Sequence, residues 1–232
     1  MDEPVTLITG TRTGIGKFLV GHFLRSGHRV IGCSRGKADY ELDGYSHHVA
    51  DVRDEKAIKA MFSEVRRSYG RVDHLINNAG VASMNHALLT PLSTVRDVLD
   101  TNVAGTFLLC REAAKLMTGR HYGRIVNFTT VAVPLKLAGE AAYVASKAAV
   151  VALTEVLARE LAEFGITVNA IGPAPVETAM IHSMPKEKID RLLARQAIPR
   201  LATLADIANV VDFFLRREST MVTGQVVFLG GV

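Results

Sequence analysis

Val5-Thr6-Leu7-Ile8-Thr9-Gly10-Thr11-Arg12-Thr13-Gly14-Ile15-Gly16 decides the fold. It opens as a compact apolar run that stops at Thr9-Gly10, the pattern of a buried strand. A helix is expected from about Ile15 to Ser26, with Ile15, Leu19 and Phe23 on one face and Gly27 as its natural stop. Between strand and helix the glycines are spaced G-x-x-x-G-x-G. Gly10 permits a tight turn, and Gly14 and Gly16 allow close approach to the helix backbone. A helix start offers free N–H groups and the positive end of a dipole, which suits phosphate. Three glycines in a loop are by themselves an ordinary turn. Their meaning depends on the pattern of the rest of the chain.

That pattern is a regular alternation. Strands are predicted at His28–Cys33, His48–Ala50, His74–Ile76, Arg124–Phe128, Ile166–Ile171 and Val226–Leu229. Asp54 caps a helix whose Ile58, Met61, Phe62 and Val65 recur at i, i+3, i+4 and i+7, and Gly70 ends it. Further helical patterns run from Ser93 to about Met117, Ala142 to Phe164, Lys186 to Arg195 and Leu204 to Arg216. Strands alternating with helices make βαβ units and a parallel sheet with helices on both faces. Short apolar strands fit a sheet covered on both sides. The reading is an α/β, doubly wound domain spanning residues 1–232. In that context the glycine loop is a dinucleotide cradle.

Composition agrees. The chain has 232 residues, 48% hydrophobic and 22% charged, which excludes disorder, collagen and coiled coil. The net charge of +4 is scattered, with Arg66-Arg67 and Arg216-Arg217 the tightest basic pairs, so no nucleic-acid partner is expected. The start, Met1-Asp2-Glu3-Pro4, lacks the positive and apolar segments of a secretory signal, and no continuous apolar run is long enough for a membrane span. A cytoplasmic location is expected, with Cys33 and Cys110 as free thiols. No Cys/His ligand spacing occurs, so no metal is assigned.

Two stretches carry chemistry. Strand two ends Cys33-Ser34-Arg35-Gly36-Lys37, without the carboxylate that usually holds an NAD ribose. Arg35, with Ser34 donating a hydrogen bond and Arg12 above the same pocket, suits a 2′-phosphate, so NADP(H) is preferred over NAD(H). The plainer reading is solvated loop charge at Arg35 and Lys37. Tyr143-Val144-Ala145-Ser146-Lys147 puts a phenol and an ammonium at i and i+4 on one helix face. A free phenol has a pKa of about 10. Lowering it by about three units needs ~4 kcal/mol, roughly what one positive charge ~4 Å away supplies at an effective dielectric of ~20. Desolvation opposes that shift, so the positive charge of an oxidised cofactor has to help.

The glycine loop, Asn77-Asn78-Ala79-Gly80, Asn102 and the Tyr143/Lys147 pair occur in the order and spacing of the short-chain dehydrogenase/reductase family. The chain resembles that family over essentially its whole length, through Thr223-Gly224-Gln225, and is similar to its 3-oxoacyl-carrier-protein reductases. The resemblance implies a Rossmann fold and a catalytic tetrad. Tyr143 would be the general acid/base. Lys147 would lower its pKa and hold the nicotinamide ribose, and Asn102 would anchor a relay water. Thr130 stands where the family has serine, keeping the hydroxyl with a β-branch added, and Thr129 is the alternative. As a plain structural residue, Thr130 would satisfy a backbone group at a strand end.

The same resemblance assigns cofactor contacts to Gly10, Arg12, Thr13, Gly14, Ile15, Gly16, Ser34, Arg35, Asp51, Val52, Asn78, Ala79, Gly80, Tyr143, Lys147, Pro173, Val176 and Thr178. Asp51-Val52 would meet the adenine, and Thr178 the carboxamide and pyrophosphate. Ala174 replaces the family's glycine after Pro173. The family's usual helix between Arg35 and Asp51 is predicted to be largely loop here, because Gly36, Asp39, Asp43 and Gly44 break the pattern.

The implied reaction interconverts a ketone and a secondary alcohol. A 3-oxoacyl-type substrate leads, with a sugar or polyol as the alternative. A non-catalytic cofactor sensor is the competing class. The places where carrier-protein reductases tend to place arginines hold His121 and Phe164. The substrate lid, about Ala179 to Pro199, mixes apolar residues with Arg191 and Arg195. The resemblance further implies a homotetramer, with a homodimer as the alternative, built on the two long helices and the final strand.

Overall fold

The computed structural model describes residues 3–177 and 186–232. Strands β1 (Val5–Thr9), β2 (Arg29–Ser34), β3 (Tyr45–Val49), β4 (His74–Asn77), β5 (Gly123–Phe128), β6 (Ile166–Gly172) and β7 (Val226–Phe228) form one parallel sheet in the order β3-β2-β1-β4-β5-β6-β7. The chain runs from β1 to one side and returns to place β4 on the other. That reversal opens a crevice at the carboxyl ends of β1 and β4, where such sheets bind ligands.

The helices are α1 (Gly14–Arg25), α2 (Glu55–Tyr69), α3 (Leu92–Leu99), α4 (Gly105–Met117), the short α5 (Ala132–Leu135), α6 (Ala141–Glu160), α7 (Lys186–Leu193) and α8 (Leu204–Leu215). Side chains alternate across each strand, so the sheet builds two cores. Leu7, Leu75, Ile125 and Val168 face α2 and α4, meeting Ile58, Met61, Phe62, Val65, Leu109 and Met117. Ile8, Ile76, Val126 and Ile171 face α1 and α8, meeting Leu19, Val20, Phe23, Ile207, Val211 and Phe214. The periodic positions read from the sequence of α2 are its buried ones. Cys33 and Cys110 are buried free thiols.

Helix ends obey local chemistry. The Asp54 carboxylate accepts from the N–H groups of Lys56 and Ala57, and Gly70 closes α2 in the left-handed region at φ 69°. Thr203 and Asp206 form a reciprocal capping box on α8. The segment between β2 and β3 contains no helix, as expected from its helix breakers.

Three predicted elements differ from the sequence reading by more than two residues or in kind. β3 is Tyr45–Val49 rather than His48–Ala50, since Tyr45 already pairs with Val30. It is a half-exposed edge strand of mostly polar residues, so apolar content marks it poorly. The single helix expected from Ser93 to Met117 is interrupted by a π turn at Asp100–Ala104. The helix expected to reach Phe164 ends at Glu160 and passes into a 3₁₀ turn over Ala162–Phe164. By length and composition α6 could cross a membrane, and among the described residues no other helix could. One face of it, with Ser146, Lys147, Val150, Thr154 and Leu157, is buried.

Candidate active site

A cleft of about 520 Å³ lies along the carboxyl ends of the strands. At one end it meets the glycine loop. Gly10 takes φ +73°, and a Cβ on Gly16 would collide with the Gly10 carbonyl, so neither position accepts a side chain without moving the turn. Asn78 Nδ2 donates to the Thr9 carbonyl at 2.9 Å, and the Ala79 N–H donates to Thr9 Oγ1 at 2.9 Å. The segment after β4 thus braces the loop. Thr13 stands at the N-cap of α1 without a side-chain cap bond, and the first turn carries no acidic residue. The helix therefore presents its N–H groups to the cleft, the donor set a pyrophosphate requires.

Arg12, Ser34 and Arg35 line the cleft at the end of β2. Ser34 is not a free donor there, because its hydroxyl donates to the Gly36 carbonyl at 2.8 Å. Asp51 and Val52 also line the cleft. The Asp51 carboxylate is gripped by Arg53, with Nη2 at 2.8 Å and Nε at 3.1 Å from its oxygens, and this hydrogen bonding holds its pKa below the usual value. Sequence reasoning missed Arg53. The signal was present, since an arginine two residues beyond a strand-end aspartate can fold back on it.

At the other end, Phe128, Thr129, Thr130, Tyr143, Lys147, Pro173, Ala174 and Val176 line the cleft with Met84, Leu137, Glu140 and Leu192. The Thr130 hydroxyl lies on the Tyr143 phenol side of the cleft, where it favours the ionised phenol, and its Oγ1 accepts from the Ala132 N–H at 3.2 Å. It therefore serves both the site and a local backbone group. Thr129 Oγ1 donates to the Lys147 carbonyl at 3.0 Å, which commits the alternative threonine to holding α6.

Lys147 Nζ donates to the Phe128 carbonyl at 2.7 Å. Burial lowers its pKa to about 8. The phenol of Tyr143 is pushed up to about 12, chiefly by burial, with the Thr130 hydroxyl opposing. A phenol lowered by Lys147 is the sequence expectation, and here the balance runs the other way. Desolvation dominates, and the ammonium is directed at a backbone carbonyl.

Asn102 is fully buried, behind the cleft wall rather than on it. The π turn points its side chain inward. Oδ1 accepts from the Val81 N–H at 2.9 Å, and Nδ2 donates to the Val81 carbonyl and to Ser146 Oγ, each at 2.9 Å. Gly80 sits just before this bond pair, where a Cβ would stand 3.1 Å from Asn102 Oδ1 and 3.2 Å from Lys147 Nζ. Of the residues assigned from sequence, all but Gly16, Asn102 and Thr178 line the cleft. Gly16 supports the loop from behind, and Thr178 lies outside the described residues.

The family model described as enoyl-(acyl carrier protein) reductase matches residues 10–231. The chain belongs to the short-chain dehydrogenase/reductase family. As a member it is an oxidoreductase acting on CH–OH groups. The 3-oxoacyl-(acyl-carrier-protein) reductase FabG of Vibrio cholerae serotype O1 is 30% identical over 237 residues, covering 100% of this chain and 97% of the relative. The structure of ElxO with NADP bound superposes with a TM-score of 0.90 at 27% identity, covering 98% of this chain and 97% of that one. The ligand-free aldohexose dehydrogenase of Thermoplasma acidophilum gives a TM-score of 0.90 at 27% identity, over 99% and 93%. Thr130 and Ala174, which stand where the resemblance expects serine and glycine, both line the cleft with Tyr143.

Proposed function

We propose that this protein is an NADP(H)-dependent reductase of ketones of the 3-oxoacyl type, with Tyr143 as the proton donor. One observation carries the reading. Tyr143, Thr130 and Lys147 converge at the apolar end of a cleft whose other end is a glycine-braced helix start. Bound along the cleft, the cofactor's nicotinamide would supply the hydride.

The chain's residues do the rest. The N–H groups at the start of α1 hold the pyrophosphate, and Arg12 and Arg35 attract the 2′-phosphate. Lys147 binds the ribose hydroxyls. Thr130 positions the carbonyl oxygen against Tyr143 Oη. With its pKa near 12, the phenol is protonated at neutral pH, which is the form a reduction needs. As negative charge develops on the substrate oxygen, the phenol O–H bond breaks and the proton passes to that oxygen. The phenolate left behind is stabilised by the Lys147 ammonium and by positive charge on the oxidised cofactor, and it regains a proton from solvent. Asn102 holds α6 in register through Ser146.

The substrate class rests on the cleft wall. Met84, Val131, Leu137 and Leu192 offer apolar surface to a ketone with an acyl chain. The 3-oxoacyl reductases among its relatives support this reading. The assembly inferred is a homotetramer, resting on α4 and α6, which expose Phe107 and Val156. Light scattering at four chain masses would support it.

A screen of NADPH consumption in the reductive direction, and of NADPH formation in the oxidative one, tests the activity. The panel is a short 3-oxoacyl thioester, a cyclic ketone, and aldohexoses assayed in the oxidative direction. Turnover of the thioester supports the proposal. Turnover of the aldohexoses alone supports the sugar alternative. Tight NADPH binding without turnover of any of them supports a cofactor sensor.

A further inference from the structure

The turn that carries Arg35 rests on a polar cluster beneath the sheet edge. Tyr45 and His47 project from β3 on the same side as Gly32 of the neighbouring strand. A Cβ on Gly32 would collide with the Tyr45 hydroxyl, so glycine there is what admits the phenol. Tyr45 OH lies 2.9 Å from Thr11 Oγ1 and 2.7 Å from His47 Nδ1, and Tyr40 OH donates to the Thr11 carbonyl at 2.7 Å. On its other side His47 Nε2 lies 3.0 Å from the Gly36 carbonyl and 3.2 Å from Ser34 Oγ.

These contacts fix the tautomer. A carbonyl oxygen only accepts, so Nε2 carries the proton and the unprotonated Nδ1 faces the Tyr45 hydroxyl. The Gly36 carbonyl therefore has two donors, His47 Nε2–H and the Ser34 hydroxyl at 2.8 Å. The two donors differ in position. Ser34 lines the cleft with Arg12 and Arg35, whereas His47 stands behind it. Arg12 reaches over the same turn, with Nη1 2.5 Å from where a Cβ on Gly36 would lie.

We propose that His47 is a positioning residue for recognition of a 2′-phosphate. It keeps the Gly36 carbonyl satisfied so that the Ser34 hydroxyl can turn its proton into the cleft, toward a phosphate monoester flanked by Arg12 and Arg35. Without His47, that rotation leaves the Gly36 carbonyl without either side-chain donor, and Ser34 stays tied to it. The inference rests on the NADP(H) reading above. It makes two specific demands: the effect of His47 is confined to ligands with a 2′-phosphate, and it passes through Ser34.

The test is calorimetric binding of 2′,5′-ADP and 5′-ADP, neither of which carries nicotinamide. The proteins are wild type, His47→Leu, His47→Gln, Ser34→Ala and the Ser34→Ala/His47→Leu double variant. Wild type should bind 2′,5′-ADP about 10-fold or more tighter than 5′-ADP. His47→Leu should weaken 2′,5′-ADP about 3- to 10-fold and leave 5′-ADP unchanged, and His47→Gln, which keeps an N–H donor, should recover most of the loss. In the Ser34→Ala background His47→Leu should have no further effect. Equal weakening of both ligands, or a full His47 effect without Ser34, would overturn the proposal in favour of a merely structural role. Should His47→Leu fail to fold, His47→Asn, whose amide is too short to reach Gly36, must show the same selective loss. A wild type indifferent to the 2′-phosphate would sink the NADP(H) reading itself. Discrimination in wild type that survives in His47→Leu would sink only this inference.

Discussion

Asn102 and Ser146 meet at 2.9 Å, joining the π turn before α4 to the helix that carries Tyr143 and Lys147. Ser146 Oγ in turn donates to the Tyr143 carbonyl at 2.7 Å. With the two bonds from Asn102 to Val81, one buried amide ties three segments of the site together.

Asn102→Ala should therefore lose stability as well as activity. It leaves the Val81 N–H and carbonyl without their side-chain partners, a loss of about 2–4 kcal/mol. For a chain of this size, that lowers Tm by roughly 5–15 °C. Thermal unfolding checks it, and an unchanged Tm would remove Asn102 from this bracing role.

Thr130 and Thr129 should separate by function. Thr130→Ser keeps the hydroxyl and should retain turnover within a few-fold. Thr130→Val removes it and should lower kcat about 10²-fold. Thr129→Val breaks a bond to α6 and should chiefly lower stability, by about 1 kcal/mol. Steady-state kinetics beside urea unfolding distinguishes the three. Equal kcat in Thr130→Ser and Thr130→Val would contradict the assignment.

Arg35→Asp should weaken NADPH binding about 10- to 100-fold while leaving NADH unchanged or improved, because it replaces an attractive charge with a repulsive one. Fluorescence titration with each cofactor measures it. A retained preference for NADPH would contradict the role of Arg35.

Stability should fall in mild acid. His74 is buried between His28 and Tyr122, and burial holds its pKa down at about 3 against an ordinary value of 6.5. The unfolded chain takes up this proton below pH 6.5 and the folded chain does not. The contribution is complete above pH 6.5 and declines as pH falls from there toward 3, at up to about 1.4 kcal/mol per pH unit. His28 and His48, also lowered by burial, add in the same direction. Urea midpoints at pH 7.5, 6 and 5 should drop in that order, with a shallower fall in His74→Gln. Identical slopes in the two proteins would exclude His74 as a source.

The legible parts of this molecule are those set by local chemistry. Leu7, Ile8, Ile125 and Val126 announce buried strands because a parallel sheet between two helical layers needs apolar side chains on both faces. Gly10, Gly14 and Gly16 announce the cradle because only glycine fits there. The site residues that share an element were equally readable, as Tyr143 and Lys147 are by helical spacing. Features that depend on long-range packing were not. The π turn at Asp100–Ala104 obeys no sequence period, yet it turns Asn102 inward. The direction of the Tyr143 shift depends on burial, opposed by the Thr130 hydroxyl, and the ammonium's choice of Phe128 is visible only once β5 and α6 are placed together. Edge strand β3 hid its start because Tyr45 and His47 face a polar cluster rather than a core.

The central claim is that Tyr143 delivers a proton to a carbonyl reduced by NADPH. Its most direct measurement is the single-turnover decay of NADPH absorbance with a 3-oxoacyl thioester, in wild type and Tyr143→Phe, with cofactor affinity measured in both. The expected result is equal NADPH affinity and a rate lowered about 10³-fold in the phenylalanine variant, in line with loss of a general acid. Equal rates in the two proteins would contradict it.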